Sequence, residues 1–305
     1  MKKDRKSPRV DIHQHVTDRI IAAIEEGAGS FEMPWHRSGL DLSRPSNVDT
    51  GRAYRGVNVV ALWVAAQSRG YATGVWGTYR QWQKANAQVR KGEKATLVVF
   101  YKDFEVEEQD PATGADTTET RLFARASAVF NGDQVDGWEP PVIEGPNAVE
   151  AVAHADAFVQ GTGADIRHGG DRAFYRPSSD HIQMPPMEAF RDTSSSTATE
   201  GYYSTLLHEL THWTGSDKRC DRQFGQRFGD EAYAMEELVA ELGAAFLCAD
   251  LGITLQPRQD HAAYIASWLK ALKNDKKAIF TAASKANQAV DFLTGLQLET
   301  FEAAA

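Results

Sequence analysis

The sequence predicts an α+β protein of two domains, and three observations lead to this class. Its 305 residues exceed one ordinary domain core and suit two cores of about 150 residues each. A hydrophobic content of 42% with 10% aromatics is enough to fill both, which excludes wholesale disorder. Helical and β-type patterns follow one another along the chain instead of alternating. A Pro/Gly-containing linker, 140–146, separates the predicted domains 1–139 and 147–305.

The first domain is expected to hold N-terminal helices followed by a small antiparallel sheet. Apolar residues recur every three to four positions over 10–26 and 58–69, and a glycine follows each segment. Thr78 is a suitable N-cap for a third helix over 79–87. The runs ATLVVFYKDFEVEE and TRLFARASAVF are rich in β-branched and aromatic residues, and PATGADTT between them predicts a long hairpin loop.

Charge is distributed unevenly along the chain. The formal net charge is −9, which excludes a uniformly basic nucleic-acid coat. Residues 34–102 nevertheless carry 11 Lys and Arg against three acidic residues, Asp41, Asp49 and Glu93, which gives 11 − 3 = +8. This basic stretch is a candidate anion-binding face, with an ordinary solvated surface as the alternative.

Aromatic residues interleave with the cations of the basic stretch. Flat rings stack on unpaired bases while cations follow the phosphates, so this mixture indicates single-stranded DNA or RNA. Trp63 falls on an apolar helical face and is expected in the core instead; Phe100 and Tyr101 extend the pattern. The candidate DNA-binding residues are Trp35, Arg52, Tyr54, Arg55, Trp76, Tyr79, Trp82, Lys84, Arg90, Lys91 and Lys94.

The clearest chemical motif is His-Glu-Leu-Thr-His, which begins at His208. Because four residues span just over one helical turn, His208 and His212 project from one face and can share a metal ion. Glu209 is then placed to act as general base on a metal-bound water. Upstream, AFYRPSSDHIQMP alternates like a strand and is expected to form an edge that holds an extended substrate.

A hydrolytic metal site needs a third protein ligand and an open position for water. Lys218 stands where a third histidine would fall, so a carboxylate from a later helix, 232–251, is expected instead. Glu237 and Glu241 share one face of that helix among apolar residues, and buried carboxylates need a partner. We assign Glu237 to the metal and Glu241 to the support of a ligand histidine, although spacing alone leaves the reverse order open.

Two resemblances to known families rest on these motifs. HELTHWTG from His208, EELVAEL from Glu236 and DHIQMP from Asp180 resemble the zincin-like metallopeptidase domain of polyvalent phage and plasmid proteins. YRGVN from Tyr54, WGTYRQ from Trp76 and VRKGEK further on resemble the N-terminal single-strand-DNA-binding domain of ArdC-type antirestriction proteins. The resemblance implies a gluzincin-like second domain, one Zn²⁺ per chain, and a mobile-element protein that protects incoming DNA from restriction.

Three functional hypotheses remain open at this point. The chain is an antirestriction protein with a zinc metallopeptidase-like site, a pure single-strand-DNA-binding protein with a structural metal, or a DNA-tethered protease that acts on DNA-bound proteins of unknown identity. The charged N-terminus is not followed by an apolar run, and no run of 18 apolar residues exists. We therefore expect a cytoplasmic protein with no membrane partner. Two cysteines are too few for a disulfide scaffold or a four-cysteine metal cluster.

Overall fold

The computed structural model describes residues 11–27, 33, 43–109, 116–140, 148–193, 196–222, 231–253 and 261–303. Helices and strands are both present, which confirms the α+β class. The N-terminal half contains α1 (Ile12–Gly27), β1 (Ser46–Asn47), α2 (Val57–Arg69), β2 (Val75–Gly77), α3 (Tyr79–Lys84), β3 (Gln88–Val89), β4 (Thr96–Gln109), β5 (Asp116–Asn131) and β6 (Val135–Asp136). The C-terminal half contains α4 (Ala148–Gly161), β7 (Asp165–His168), β8 (Phe174–Arg176), β9 (His181–Met184), α5 (Ala198–Trp213), α6 (Glu231–Leu251), α7 (His261–Asn274) and α8 (Ala278–Ala303). Among the described helices, none is both long and apolar enough to cross a lipid bilayer.

The three N-terminal helices form where the periodicity predicts them. Gly70 ends α2 in the left-handed conformation, with φ 66°, as expected for a glycine C-cap. Thr78 begins α3 through a capping box with Gln81. The third helix ends at Lys84, three residues earlier than predicted, because Asn86 adopts a left-handed φ of 58° and the chain then enters β3.

The predicted hairpin is present as β4 and β5, which pair antiparallel from Thr96 opposite Val129 outward. It belongs to a four-stranded sheet of order β1-β2-β5-β4, in which β1 runs parallel to β2. Strands of two or three residues carry no readable period, which is why β1, β2, β3 and β6 were not predicted. Residues 111–115 of the predicted loop lie outside the described residues, and its last three, 116–118, belong to β5.

The segment predicted as one alternating strand over 173–185 is instead a hairpin, so that prediction is wrong. A 3₁₀ turn at Pro177–Ser179 interrupts the segment, and Asp180 follows with a left-handed φ of 47°. Proline lacks the amide donor that a continued ladder requires, so the chain reverses there. The result is the antiparallel pair β8–β9 in a sheet of order β7-β9-β8, with β8 at one edge.

The main core of the protein is shared by the two halves of the chain. Its cluster of buried apolar residues extends from Val16 in α1 to Leu293 in α8, and a smaller cluster around Trp82 lies within the N-terminal half. Trp63 lies in this core as expected, and its ring centroid is 5.8 Å from that of Phe246 in α6. Only residue 140 of the predicted linker lies within the described residues. Helix α6, which carries Glu237, therefore contacts the N-terminal half directly, and α1 and α2 pack against α7 and α8.

Candidate metal centre

Helix α5 places both histidines of the motif on one buried face. Thr197 begins the helix through a capping box with Glu200. His208 and His212 lie one turn apart, with ring centroids 4.8 Å from each other, and both are buried. Leu206, Leu207 and Leu210, also fully or nearly fully buried, pack the rest of the helix into the core. The local sequence and the burial together hold the two imidazoles towards the same point.

Helix α6 brings Glu237 to that point. Nε2 of His208 lies 3.5 Å from one carboxylate oxygen of Glu237, and Nε2 of His212 lies 3.5 Å from the other. Two ligand atoms bound at about 2.1 Å in a tetrahedral arrangement lie about 3.4 Å apart, so these separations fit a single ion. His208, His212 and Glu237 form the group of potential metal ligands among the described residues, with donor atoms within 4.8 Å of one another.

Each imidazole turns its second nitrogen towards another carboxylate of α6. Nδ1 of His208 lies 3.6 Å from Oε2 of Glu241, and Nδ1 of His212 lies 3.2 Å from Oε1 of Glu236. Nδ1 of His208 is buried and has no hydrogen bond within the described structure. A metal on Nε2 would place a proton on this Nδ1 and direct it at Glu241, which suits the arrangement of a ligand histidine and its supporting acceptor.

Glu236 and its partner Arg222 were missed in the sequence. Arg222 is buried, and its Nε and one terminal nitrogen lie 3.0 and 2.8 Å from the oxygens of Glu236. The guanidinium also donates to Thr214 Oγ1 at 2.7 Å and to the Thr211 carbonyl at 2.6 Å, both on or beside α5. The sequence did offer one indication of Glu236, because it stands next to Glu237 in an otherwise apolar helix. A loop arginine such as Arg222 carried no signal.

The buried carboxylates govern the charge of the site. Burial disfavours a charged His212, but Glu237 and Glu236 outweigh it and raise the pKa of His212 to about 10. Burial likewise opposes ionisation of Glu237, yet His212 and His208 hold its pKa well below the usual range. Without an ion, the imidazolium of His212 therefore balances the negative charge of the buried carboxylates. A bound divalent cation would supply that positive charge instead.

Glu209 lies beside the histidines and contacts the edge strand β8. Its side chain is buried, and its Oε2 accepts a hydrogen bond of 2.9 Å from the backbone N–H of Tyr175. Opposite residues in an antiparallel pair alternate between hydrogen-bonded and non-hydrogen-bonded positions. Since the Tyr175 N–H points to Glu209, it faces away from β9. Strand β8 was expected to be the edge that binds an extended substrate. Its Tyr175 N–H, which points away from the sheet, instead donates to the candidate general base Glu209.

The candidate DNA-binding residues separate into buried rings and exposed cations. Trp76 and Trp82 are fully buried, Tyr54 is nearly so, and Nε1 of Trp82 donates to the Phe130 carbonyl at 3.0 Å. A ring inside the core has no free face for a base, so the prediction that these three stack on DNA is wrong. Tyr79 is 43% exposed. The exposed cations are Arg52, Arg55, Lys84, Arg90, Lys91 and Lys94, whereas Trp35 lies outside the described residues.

Several of the exposed cations already have acidic partners. Lys84 pairs with Asp49, and Arg55 pairs with Asp291 of α8. Arg90 lies 3.3 Å from Glu93. Phe100 and Tyr101 are exposed on β4, at 48% and 45%. Tyr79, Phe100 and Tyr101 therefore replace the tryptophans as accessible rings of this half.

Comparison with known proteins matches each half of the chain to a family. Residues 10–130 match the N-terminal domain of the anti-restriction factor ArdC. Residues 153–285 match the zincin-like metallopeptidase family. The second match covers α5 and α6, which carry the candidate metal ligands.

Relatives cover most of the chain. It is 50% identical over 290 residues to the uncharacterized protein y4eC of Sinorhizobium fredii, spanning 94% of this chain and 92% of that protein. It is also 38% identical over 301 residues to the DNA primase TraC of Escherichia coli, but spans only 27% of that primase.

Two solved structures share the fold. The metal-free crystal structure of the antirestriction protein ArdC from plasmid R388 is 42% identical, with a TM-score of 0.75 and coverage of 95% of this chain and 98% of that one. The Mn(II)-bound structure is 41% identical, with the same TM-score and coverage of 94% and 98%. Together with the buried donor set, these matches indicate a divalent-metal site. At this identity and coverage, the chain belongs to the ArdC family of antirestriction proteins.

Proposed function

We propose that this chain is a cytoplasmic antirestriction protein of a mobile element that binds single-stranded DNA and carries a zinc peptidase site. One Zn²⁺ per chain is bound by His208, His212 and Glu237, and Glu209 is the general base. The observation that carries the proposal is the convergence of three buried donors, with the buried side chain of Glu209 next to His208 in the sequence. Three protein ligands leave one tetrahedral position open, as hydrolytic zinc sites require.

The substrate class that this site favours is a peptide bond. A bound divalent ion polarises a carbonyl and lowers the pKa of a water from about 15.7 towards 7. Glu209 accepts the proton of the attacking water and passes it to the leaving nitrogen, so that one carboxylate acts first as base and then as acid. Glu241 and Glu236 hold the two imidazoles in orientation through their Nδ1 atoms.

The DNA-binding role rests on exposed residues of the N-terminal half. Among the residues of this half whose burial the structure describes, Tyr79, Phe100 and Tyr101 are exposed rings, and Lys91 and Lys94 are exposed cations. Stacking on such rings contributes about 1–3 kcal/mol for each base and requires no particular sequence. We therefore propose a preference for single strands over duplex with little sequence specificity.

The decisive experiment separates the two activities in one cellular assay. Unmodified DNA that contains restriction sites is introduced into a host that carries a restriction system. The host expresses wild type, Glu209→Ala, or a full-length variant with Lys91 and Lys94 replaced by alanine. A full-length variant is preferable to a 1–139 fragment because the halves share one core. We expect Glu209→Ala to bind zinc and single strands like wild type but to lose peptidase activity.

The outcomes distinguish a proteolytic from a steric mode of protection. Loss of protection with Glu209→Ala indicates that proteolysis contributes to antirestriction. Full protection with Glu209→Ala, together with loss in the lysine variant, indicates steric protection by DNA binding. All of these hypotheses assume that the protein binds zinc. Metal analysis of protein purified without chelator, and again after reconstitution, tests this assumption, and the absence of zinc in both preparations would contradict it.

A further inference from the structure

The hairpin β8–β9 is tied to the segment that follows α5 by a cluster of three polar side chains. Tyr175 donates its hydroxyl hydrogen to Asp180 Oδ1 at 2.8 Å, and Arg219 contacts the Tyr175 hydroxyl oxygen at 3.2 Å. Both terminal nitrogens of Arg219 also donate to the Asp180 carboxylate, one of them to Oδ2 at 3.1 Å. Burial and Asp180 raise the pKa of Tyr175 to about 12, so the hydroxyl stays protonated as a donor at neutral pH.

Arg219 is itself anchored to the end of the metal-site helix. Its Nε donates to the Trp213 carbonyl at 2.6 Å, and its guanidinium lies 3.9 Å from the centroid of the Trp213 ring. The side chain is only 9% exposed. A cation at a helix C-terminus also interacts favourably with the carbonyls that end the helix. Arg219 thus joins the residue next to His212 to the hairpin that contacts Glu209.

The hairpin contacts Glu209 through a backbone donor that the sheet leaves available. Strand β8 has three residues, and its central residue, Tyr175, directs its N–H away from β9 to Glu209 at 2.9 Å. By the alternation of the ladder, the amides of Phe174 and Arg176 face β9. The outward amide of this short strand therefore serves the carboxylate of Glu209 rather than an extended peptide.

We propose that Arg219, through Asp180 and Tyr175, is a positioning residue that holds the Tyr175 N–H on Glu209 and so orients the general base. The role of Glu209 in this inference rests on the proposed function. The positioning itself is a property of the protein without substrate. It assigns to the edge strand β8 a role in the catalytic apparatus, in addition to any contact with substrate.

Selective ¹⁵N-tyrosine labelling of the full chain tests the inference without a substrate. The chain has nine tyrosines, so the amide spectrum is simple, and the Tyr175 signal is the one that disappears in Tyr175→Phe. In wild type we expect this amide to be protected from hydrogen exchange although β9 does not accept from it. Glu209→Ala and Arg219→Met should each raise its exchange rate about tenfold or more, since the hydrogen bond from this amide to the Glu209 side chain is removed in the first variant and no longer held in place in the second.

Matched variants separate positioning from general destabilisation. Arg167→Met is the control because Arg167 pairs with Asp165 on β7, at the opposite edge of the same sheet; it should leave the Tyr175 amide unchanged. The amides of Tyr202 and Tyr203 in α5 should keep their wild-type exchange rates in Arg219→Met. If those amides also exchange faster, Asp180→Asn replaces Arg219→Met as the deciding variant, because it keeps the size of the side chain but removes its charge and one of the two oxygens that accept from Arg219.

The inference is overturned if the Tyr175 amide exchanges at the wild-type rate in Glu209→Ala. It is also overturned if this amide keeps the wild-type rate in the deciding variant, which is the one of Arg219→Met and Asp180→Asn that leaves the α5 amides protected. Once a peptide substrate is in hand, Arg219→Met should lower kcat with little change in KM. A protein with no peptidase activity would contradict the proposed function and leave the amide result to decide the positioning.

Discussion

The candidate metal centre and the basic stretch of the N-terminal half differ in one respect. In the first, the type of a side chain indicates where it lies in the fold, and in the second it does not. At the metal centre, polar residues lie in helices that are otherwise apolar, and the structure brings His208, His212 and Glu237 together. In the basic stretch, aromatic residues that look alike in sequence separate into core and surface, as Trp82 and Tyr79 do. A buried charge must find a partner, whereas a ring is stable either in the core or on the surface.

Among substitutions that test this comparison, the largest effect on zinc binding is expected for Glu237. Glu237→Ala removes one of three proposed protein ligands and leaves two imidazoles that contact no bridging carboxylate. We expect zinc binding to be lost at concentrations that saturate wild type. Titration against a chromogenic chelator measures it. Retention of zinc in Glu237→Ala with loss in Glu241→Ala would reverse the assignment of the two carboxylates.

The next largest effect concerns stability without metal. Glu236→Ala leaves Arg222, which is buried, without its carboxylate, and removing one partner of a buried ion pair costs about 3–5 kcal/mol. Denaturant unfolding of the metal-free protein measures the loss. Arg44→Ala is a suitable control, since Asp250, its partner, is more exposed than Glu236. Equal losses for both variants would show that the Arg222 pair is no more important than an ordinary ion pair.

A smaller effect is expected when only the support of a ligand is removed. Glu241→Ala should weaken zinc affinity by about 10–100-fold, because supporting acceptors of ligand histidines contribute on this scale. The same chelator titration measures it. Glu241→Gln, which keeps an oxygen acceptor near Nδ1 of His208, should recover part of the affinity. Identical affinities for wild type and Glu241→Ala would place the support of His208 elsewhere.

The smallest effect is expected in the basic stretch. Lys91 and Lys94 are both replaced by alanine. The slope of log affinity for single strands against log salt concentration should then become shallower by about 1.4, because each of the two lost phosphate contacts contributes about 0.7. Affinity measured at several salt concentrations gives the slope. The matched control replaces Lys270 and Lys273 of α7, which are also exposed. An equal change in both variants would indicate a non-specific charge effect and argue against a DNA face at Lys91.

Part of the candidate site was predictable because it depends on local geometry. The spacing of His208 and His212 places both on one helical face wherever the helix lies, and Glu237 and Glu241 follow the same rule. The order of these two carboxylates was not determined by that rule. It depends on how α6 packs on α5, which places Glu237 at the Nε2 atoms and Glu241 at Nδ1 of His208.

The sequence by itself determined the α+β class, the helices α1, α2, α3, α5 and α6, the β4–β5 hairpin and the candidate metal motif, because each follows from periodicity or spacing within one segment. Only the tertiary structure decided which tryptophans are buried, that both halves share one core, and that Arg222 and the Tyr175 N–H support the site. These features join residues far apart in the chain. They depend on the packing of whole elements against one another, for which a single sequence contains no local pattern.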